Sequence, residues 1–212
     1  MVSSKQTKKP TQQAGPLDAA ARLVYEALET EMGGVEVYTT ALECVQNDDL
    51  REEWEKYLDQ TREHVEIVRD VCVQLGLDPD RDTPGRQVVR VIGKSLVKAM
   101  QMALGAGDPK AAEIVAAECV TLAEMKDHAN WELLGTLAEK ATGKQKQVLE
   151  RAASKVEDEE DEHLYHSEGW ARELWFDALE LPAQLPPPEE EEDVKTQEEA
   201  AQVKRKSMKE RD

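Results

Sequence analysis

Apolar residues recur at alternating steps of four and three along most of the chain, the spacing of one face of an α-helix. Between about Leu17 and Val45 the inward stripe reads Val24, Leu28, Glu31, Val35, Tyr38, Leu42, Val45. Between about Asp49 and Leu75 it reads Leu50, Trp54, Tyr57, Thr61, His64, Val68, Val71, Leu75. After Gly143, and as far as about Leu179, it reads Leu149, Ala153, Val156, Glu160, His163, Ser167, Trp170, Leu174. Two more helices are predicted. One runs from Pro84 to about Leu104, with proline in its first turn and Gly105-Ala106-Gly107 behind it, and the other from about Pro109 to Thr142. This last segment carries two competing stripes: Val120, Glu124, Asp127, Trp131, Leu134, and Val115, Glu118, Leu122, Met125, Ala129, Leu133. No segment has a clear strand pattern. The expected class is all-α: two long hairpins joined by a crossover helix, an antiparallel four-helix bundle over residues 16–181.

The flanks read differently. Residues 1–15 are rich in Lys, Gln, Ser and Thr, and from Pro182 the chain continues through Pro186-Pro187-Pro188 and an acidic run, Glu189 to Asp193. Such composition buries too little apolar surface to offset ordering entropy, so 1–15 and 182–212 are expected to be disordered tails. A short helix over Thr196–Lys206 is the alternative.

Charge narrows the function classes. A formal net charge of −18 repels nucleic-acid phosphates, which argues against general DNA or RNA binding. Residues 1–16 lack the apolar core of a secretory signal, and no run of about 20 apolar residues suggests a membrane span. The expectation is a cytoplasmic protein. The cysteines, Cys44, Cys72 and Cys119, are far apart and read as small core residues. No Ser-His-Asp order or phosphate-binding glycine loop is visible; Gly33-Gly34 lies within a helix and suggests close helix packing.

The chemistry lies in the polar residues inside the apolar stripes. In an antiparallel hairpin, residues equally far from the turn sit at the same height. Glu31 and His64 are equidistant from Asn47-Asp48, while Asp127 with Glu160, and Glu124 with His163, are equidistant from Gly143-Lys144. Each hairpin thus places its polar groups level with one another, about halfway along the bundle. An unpaired buried charge costs several kcal/mol, and a divalent cation is an efficient partner for converging carboxylates and imidazoles. A Glu from each of two helices plus Glu-x-x-His from each of the other two forms a di-metal site. Glu160 and His163 supply one such pair, but the other reads Thr61-Arg62-Glu63-His64, with Thr where Glu is expected. The expected ligands are Glu31, His64, Asp127, Glu160 and His163, with Glu124 as a further candidate. The competing reading is a structural polar core, with Glu31 paired to a base, His64 hydrogen-bonded, and the acidic Glu157–Glu162 segment partly a solvated face. His128 and His166 read as surface or supporting residues, and Trp131, Trp170 and Trp175 as packing anchors.

On these residues the chain resembles the bacterial ferritin-like stress proteins of the YciF type. Glu31 followed by Val35-Glu36-Val37-Tyr38 is similar to their first-helix motif. Tyr57, Thr61 and His64 resemble a His…Thr-x-x-Gln pattern with Tyr and His substituted, and Asp127-His128 leading to Gly135-Thr136-Leu137 resembles Glu-His leading to Gly-Thr-Leu. Glu159-Glu160 resembles a paired Glu on the last helix, while Glu160-x-x-His163 looks more like rubrerythrin and bacterioferritin. The resemblance covers about residues 20 to 175. It implies a ferritin-like fold, a di-iron or di-manganese site and a dimer. The level polar groups themselves motivate the expectation of a metal-dependent oxidoreductase or peroxidase-like activity, related to oxidative stress, in which the metals reduce oxygen or peroxide. The alternative function is a non-catalytic stress or interaction protein using a metal-free bundle as scaffold.

Overall fold

The computed structural model describes residues 18–183, 195–197, 199–203 and 206. Five long helices follow one another: α1 (Ala19–Cys44), α2 (Asp48–Gln74), α3 (Pro84–Ala106), α4 (Pro109–Lys140) and α5 (Gly143–Ala178). The described residues between 195 and 206 are also helical, and Ala201 among them is buried. No strand occurs among the described residues, which makes the chain all-α. The expected 1–15 tail, and the larger part of 182–212, lie outside the described residues.

Local chemistry sets the helix ends. Asp18, Asn47, Thr83 and Asp108 each turn a side-chain oxygen onto free backbone N–H groups of the following first turn. Pro84 and Pro109 occupy the first turns of α3 and α4, where a missing N–H costs nothing. Gly107, at φ +82°, closes α3 in the left-handed conformation that glycine adopts without strain. The α1–α2 corner is fixed from α4: Glu113 Oε1 accepts from the backbone N–H groups of Gln46 and Asn47 at 2.8 and 2.7 Å.

α1 packs on α2, α3 and α4; α5 packs on α4 and α2; α3 also touches α4. The α1, α2 and α5 stripes are buried wholly or in large part. On α4 the structure resolves the ambiguity: Val120, Glu124, Asp127, Trp131 and Leu134 face inward, and Glu118, Leu122, Met125, Ala129 and Leu133 are exposed. Glycine permits the close approaches. A Cβ on Gly34 would stand 3.1 Å from Thr61 Cγ2, and one on Gly93 would lie 3.7 Å from Gly33 Cα, so the Gly33-Gly34 pair serves packing of α1 against α2 and α3.

Two apolar clusters fill the interior. One gathers Tyr38, Trp54, Tyr57, Met100 and Val120; the other gathers Leu28, Val68, Trp131, Leu149 and Val156. The polar layer occupies the chain positions between them on α1, α2 and α4. All three cysteines are free and buried, and desolvation pushes each thiol up to about 11, which keeps them protonated and inert. No described helix is long and apolar enough to cross a membrane.

A buried ion pair ties α3 to α1. Arg86 Nε donates to Glu29 Oε2 at 2.7 Å, and Arg90 Nε donates to Glu29 Oε1 at 2.5 Å. Burial alone would raise the Glu29 carboxyl; hydrogen bonds from Arg90 and Arg86 outweigh it and hold it below its ordinary value. Arg86 also donates to the Pro79 and Arg81 carbonyls, fixing the α2–α3 connection. Arg86→Met strips Glu29 of its buried partner. The expected cost is about 3 kcal/mol, the low end for a broken buried pair because Arg90 remains. Urea unfolding measures it, and a loss below about 1 kcal/mol would assign the work to Arg90 instead.

Candidate metal centre

Four helices converge on the mid-height layer. α1 supplies Glu31, α2 His64, α4 Glu124 and Asp127, and α5 Glu160 and His163, all of them buried. Their helical spacing makes this convergence possible. Glu160 and His163 are one turn apart on α5, as are Glu124 and Asp127 on α4, so each pair projects from one face.

The distances divide the layer into two groups. His64 Nδ1 lies 3.7 Å from Glu31 Oε2 and 3.0 Å from Glu160 Oε1. His163 Nδ1 lies 3.7 Å from Glu124 Oε2 and 3.7 Å from Glu160 Oε1. In the triads Glu31/His64/Glu160 and Glu124/Glu160/His163, one donor atom from each residue falls within 4.8 Å of the other two. Glu160 belongs to both. Both imidazoles approach the same oxygen, Oε1, of this carboxylate, which makes Glu160 the residue the two groups share.

The inward atoms lack the partners that a structural polar core would give them. Glu31 Oε2, His64 Nδ1, Glu124 Oε2, Asp127 Oδ1, Glu160 Oε2 and His163 Nδ1 are buried and accept or donate no hydrogen bond. Leaving one such atom unsatisfied costs about 1–3 kcal/mol, so six at one depth form a group that could hold a cation. No Lys or Arg forms an ion pair with Glu31, so that expectation of the structural reading is not met among the described contacts.

Electrostatics point the same way. Burial first, then Asp127 and Glu160, pushes the Glu31 carboxyl well above its ordinary value. Burial first, then Glu160 and Glu124, does the same for Asp127. Glu160 is pushed up to about 8, by burial and then by Glu124, against the attraction of His163. Without a cation, the layer meets the cost of crowded carboxylates by holding protons.

Of the six residues singled out from the sequence, five fall in the triads. Glu124, the further candidate, is a member, while Asp127 stands outside both as an electrostatic neighbour of Glu31. Thr61 donates its hydroxyl back to Tyr57 O at 2.8 Å, so it offers no ligand in place of the absent Glu.

Around the layer lie supports that the stripes did not disclose. Trp131, expected as a packing anchor, also donates Nε1–H to Glu31 Oε1 at 2.7 Å. His64 Nε2 meets Glu159 Oε2 at 2.7 Å, and His163 Nε2 meets Gln60 Oε1 at 3.0 Å. The Tyr57 ring lies against His163, centroids 4.2 Å apart, and its hydroxyl bonds His166 Nδ1 at 2.7 Å. His128 Nε2 bonds the buried Asp161 at 2.8 Å, which makes it a link between α4 and α5. Glu159 and Gln60 sit beside the inward stripes on α5 and α2. Glu159 was singled out from the sequence as half of the Glu159-Glu160 pair, whereas the signal for Gln60 is its place four residues before His64. No family model, curated protein or solved structure matches the chain.

Proposed function

We propose that this chain is a ferritin-like protein whose mid-bundle layer holds two divalent redox metals, iron or manganese, in redox or oxidative-stress chemistry. The observation that carries the reading is Glu160, shared by two buried triads of carboxylate and imidazole in which each residue leaves an inward atom without a hydrogen bond. The packing of α1, α2, α4 and α5 with α3 lying across α1 and α4 fits two hairpins joined by a crossover. The donors are carboxylate and imidazole with no thiolate, a set that suits iron or manganese. Such ions, when bound, supply the electrons for reducing oxygen or peroxide.

The chain's own residues do the positioning. Trp131 holds one oxygen of Glu31 and leaves the other facing the layer. Glu159 and Gln60 fix the outer nitrogens of the two imidazoles, and apolar clusters on both sides keep bulk water away. Because Thr61 stands where a second Glu-x-x-His would have its Glu, the layer would hold its cations with one carboxylate fewer.

Elemental analysis of protein purified without chelators should show about one to two iron or manganese atoms per chain. The competing reading, a metal-free scaffold, draws on the same raised carboxyl groups, which can stay neutral by keeping protons. Protein that is metal-free as isolated and takes up neither Fe(II) nor Mn(II) would decide for the scaffold.

A further inference from the structure

We infer that the two cation positions are unequal by construction. The His64 position is pre-organised by Glu159 and fills first; the His163 position, held by Gln60, fills second and more weakly. The inference rests on the metal reading above and concerns two residues outside the triads.

The two outer partners differ in what they can do with a proton. A carboxylate only accepts, so the 2.7 Å contact with Glu159 keeps a proton on His64 Nε2. The lone pair of Nδ1 then faces Glu31 and Glu160, ready for a cation. An amide is different, since it has an acceptor oxygen at one end and a donor NH2 at the other. With Oε1 towards His163 Nε2, as found at 3.0 Å, the proton stays outside and Nδ1 is free. With the amide turned over, its NH2 donates to Nε2 and the proton moves to Nδ1, where it faces Glu124 Oε2 and Glu160 Oε1, each 3.7 Å away. That second arrangement satisfies the layer without a cation and must be undone before one binds. Gln60 permits it by turning over, whereas Glu159 has no donor to offer and leaves the Nε2 proton of His64 in place.

Charge adds to the difference. Beside the shared Glu160, the His64 position has Glu31, and a second carboxylate, Glu159, behind the imidazole. The His163 position has Glu124 and the neutral Gln60. A carboxylate behind a ligating imidazole also makes the ring a stronger donor. The tautomer and the field therefore favour the same position.

Co(II) titration of the full chain, followed by calorimetry and by visible absorption, tests this. Wild type should show two resolved steps, and Glu124→Gln should keep the first and lose the second. Glu159→Gln should weaken the first step by about 10- to 100-fold, the usual effect of losing a partner behind a metal-bound histidine, and leave the second unchanged. Gln60→Glu should tighten the second step and draw the two together. Both substitutions preserve shape at partly exposed positions, and far-UV circular dichroism checks that the helices remain. One merged step in wild type, or equal weakening of both steps in Glu159→Gln, overturns the inference while the metal reading stands. No Co(II) uptake at all overturns both.

Discussion

Glu160→Gln should empty both cation positions and at the same time stabilise the metal-free protein at pH 8. The first half follows from geometry: Glu160 is the residue common to both triads, so its loss is felt at each, whereas Glu31→Gln or Glu124→Gln should affect one. The second half follows from electrostatics. Burial and Glu124 carry the Glu160 carboxyl from 4.5 to about 8, and each unit of such a shift corresponds to about 1.4 kcal/mol against the ionised form. Glutamine has nearly the same shape and nothing to ionise, so the expected gain is on the order of a few kcal/mol. A residue that binds a cation and burdens the empty fold is the signature of a functional site. A carboxyl whose own hydrogen bonds hold the core together predicts the reverse, because the substitution breaks them. Thermal melting of the chelated proteins, paired with Co(II) uptake, separates the two. Metal-free Glu160→Gln that melts well below wild type would assign the carboxylate to packing.

The helices and their order were legible because their punctuation is chemical. Asn47, Thr83-Pro84, Gly107 and Asp108-Pro109 mark helix ends by hydrogen bonding and backbone freedom, which act locally and can be read locally. Three of the four inward stripes carry one apolar face each and were equally plain. α4 carries two, since Leu122, Met125 and Leu133 are as apolar as Val120, Trp131 and Leu134. Only the polar pair Glu124 and Asp127, level with residues of α5, favoured one stripe over the other. Equal height could not choose between those two carboxylates, which sit one turn apart. Glu124 has the extra methylene and reaches the His163 group, while Asp127 ends beside Glu31. The supports were harder still. Gln60, Glu159 and the indole of Trp131 act through hydrogen bonds between helices, and periodicity along one helix carries no record of what the next helix presents.

Stripped of cations, the protein should lose stability as the pH rises from about 5 to about 8, and saturating Mn(II) should reverse that trend. Glu31, Asp127 and Glu160 all have carboxyls raised by folding, with burial the first cause in each. At low pH, below the ordinary carboxylate value, folded and unfolded chains both hold these protons and no difference arises. Between the ordinary and the raised value the unfolded chain has released protons that the folded chain keeps. Raising the pH then favours unfolding, by about 1.4 kcal/mol per unit for each group still protonated in the fold. For Glu160 the window runs from 4.5 to about 8, and above it the contribution is flat. A cation takes the place of the protons, so its binding releases them and tightens with rising pH. At a concentration 100-fold above Kd it adds about 2.7 kcal/mol, which grows through the same window in which the empty protein weakens. Other carboxylates in this acidic chain also titrate, and Glu160→Gln is the control, since its metal-free pH slope should be shallower. Melting temperatures from pH 5 to pH 8, with chelator and with Mn(II), give both curves. A metal-free melting temperature that is flat or rising across that range would mean the layer is not the crowded set of protonated acids described above.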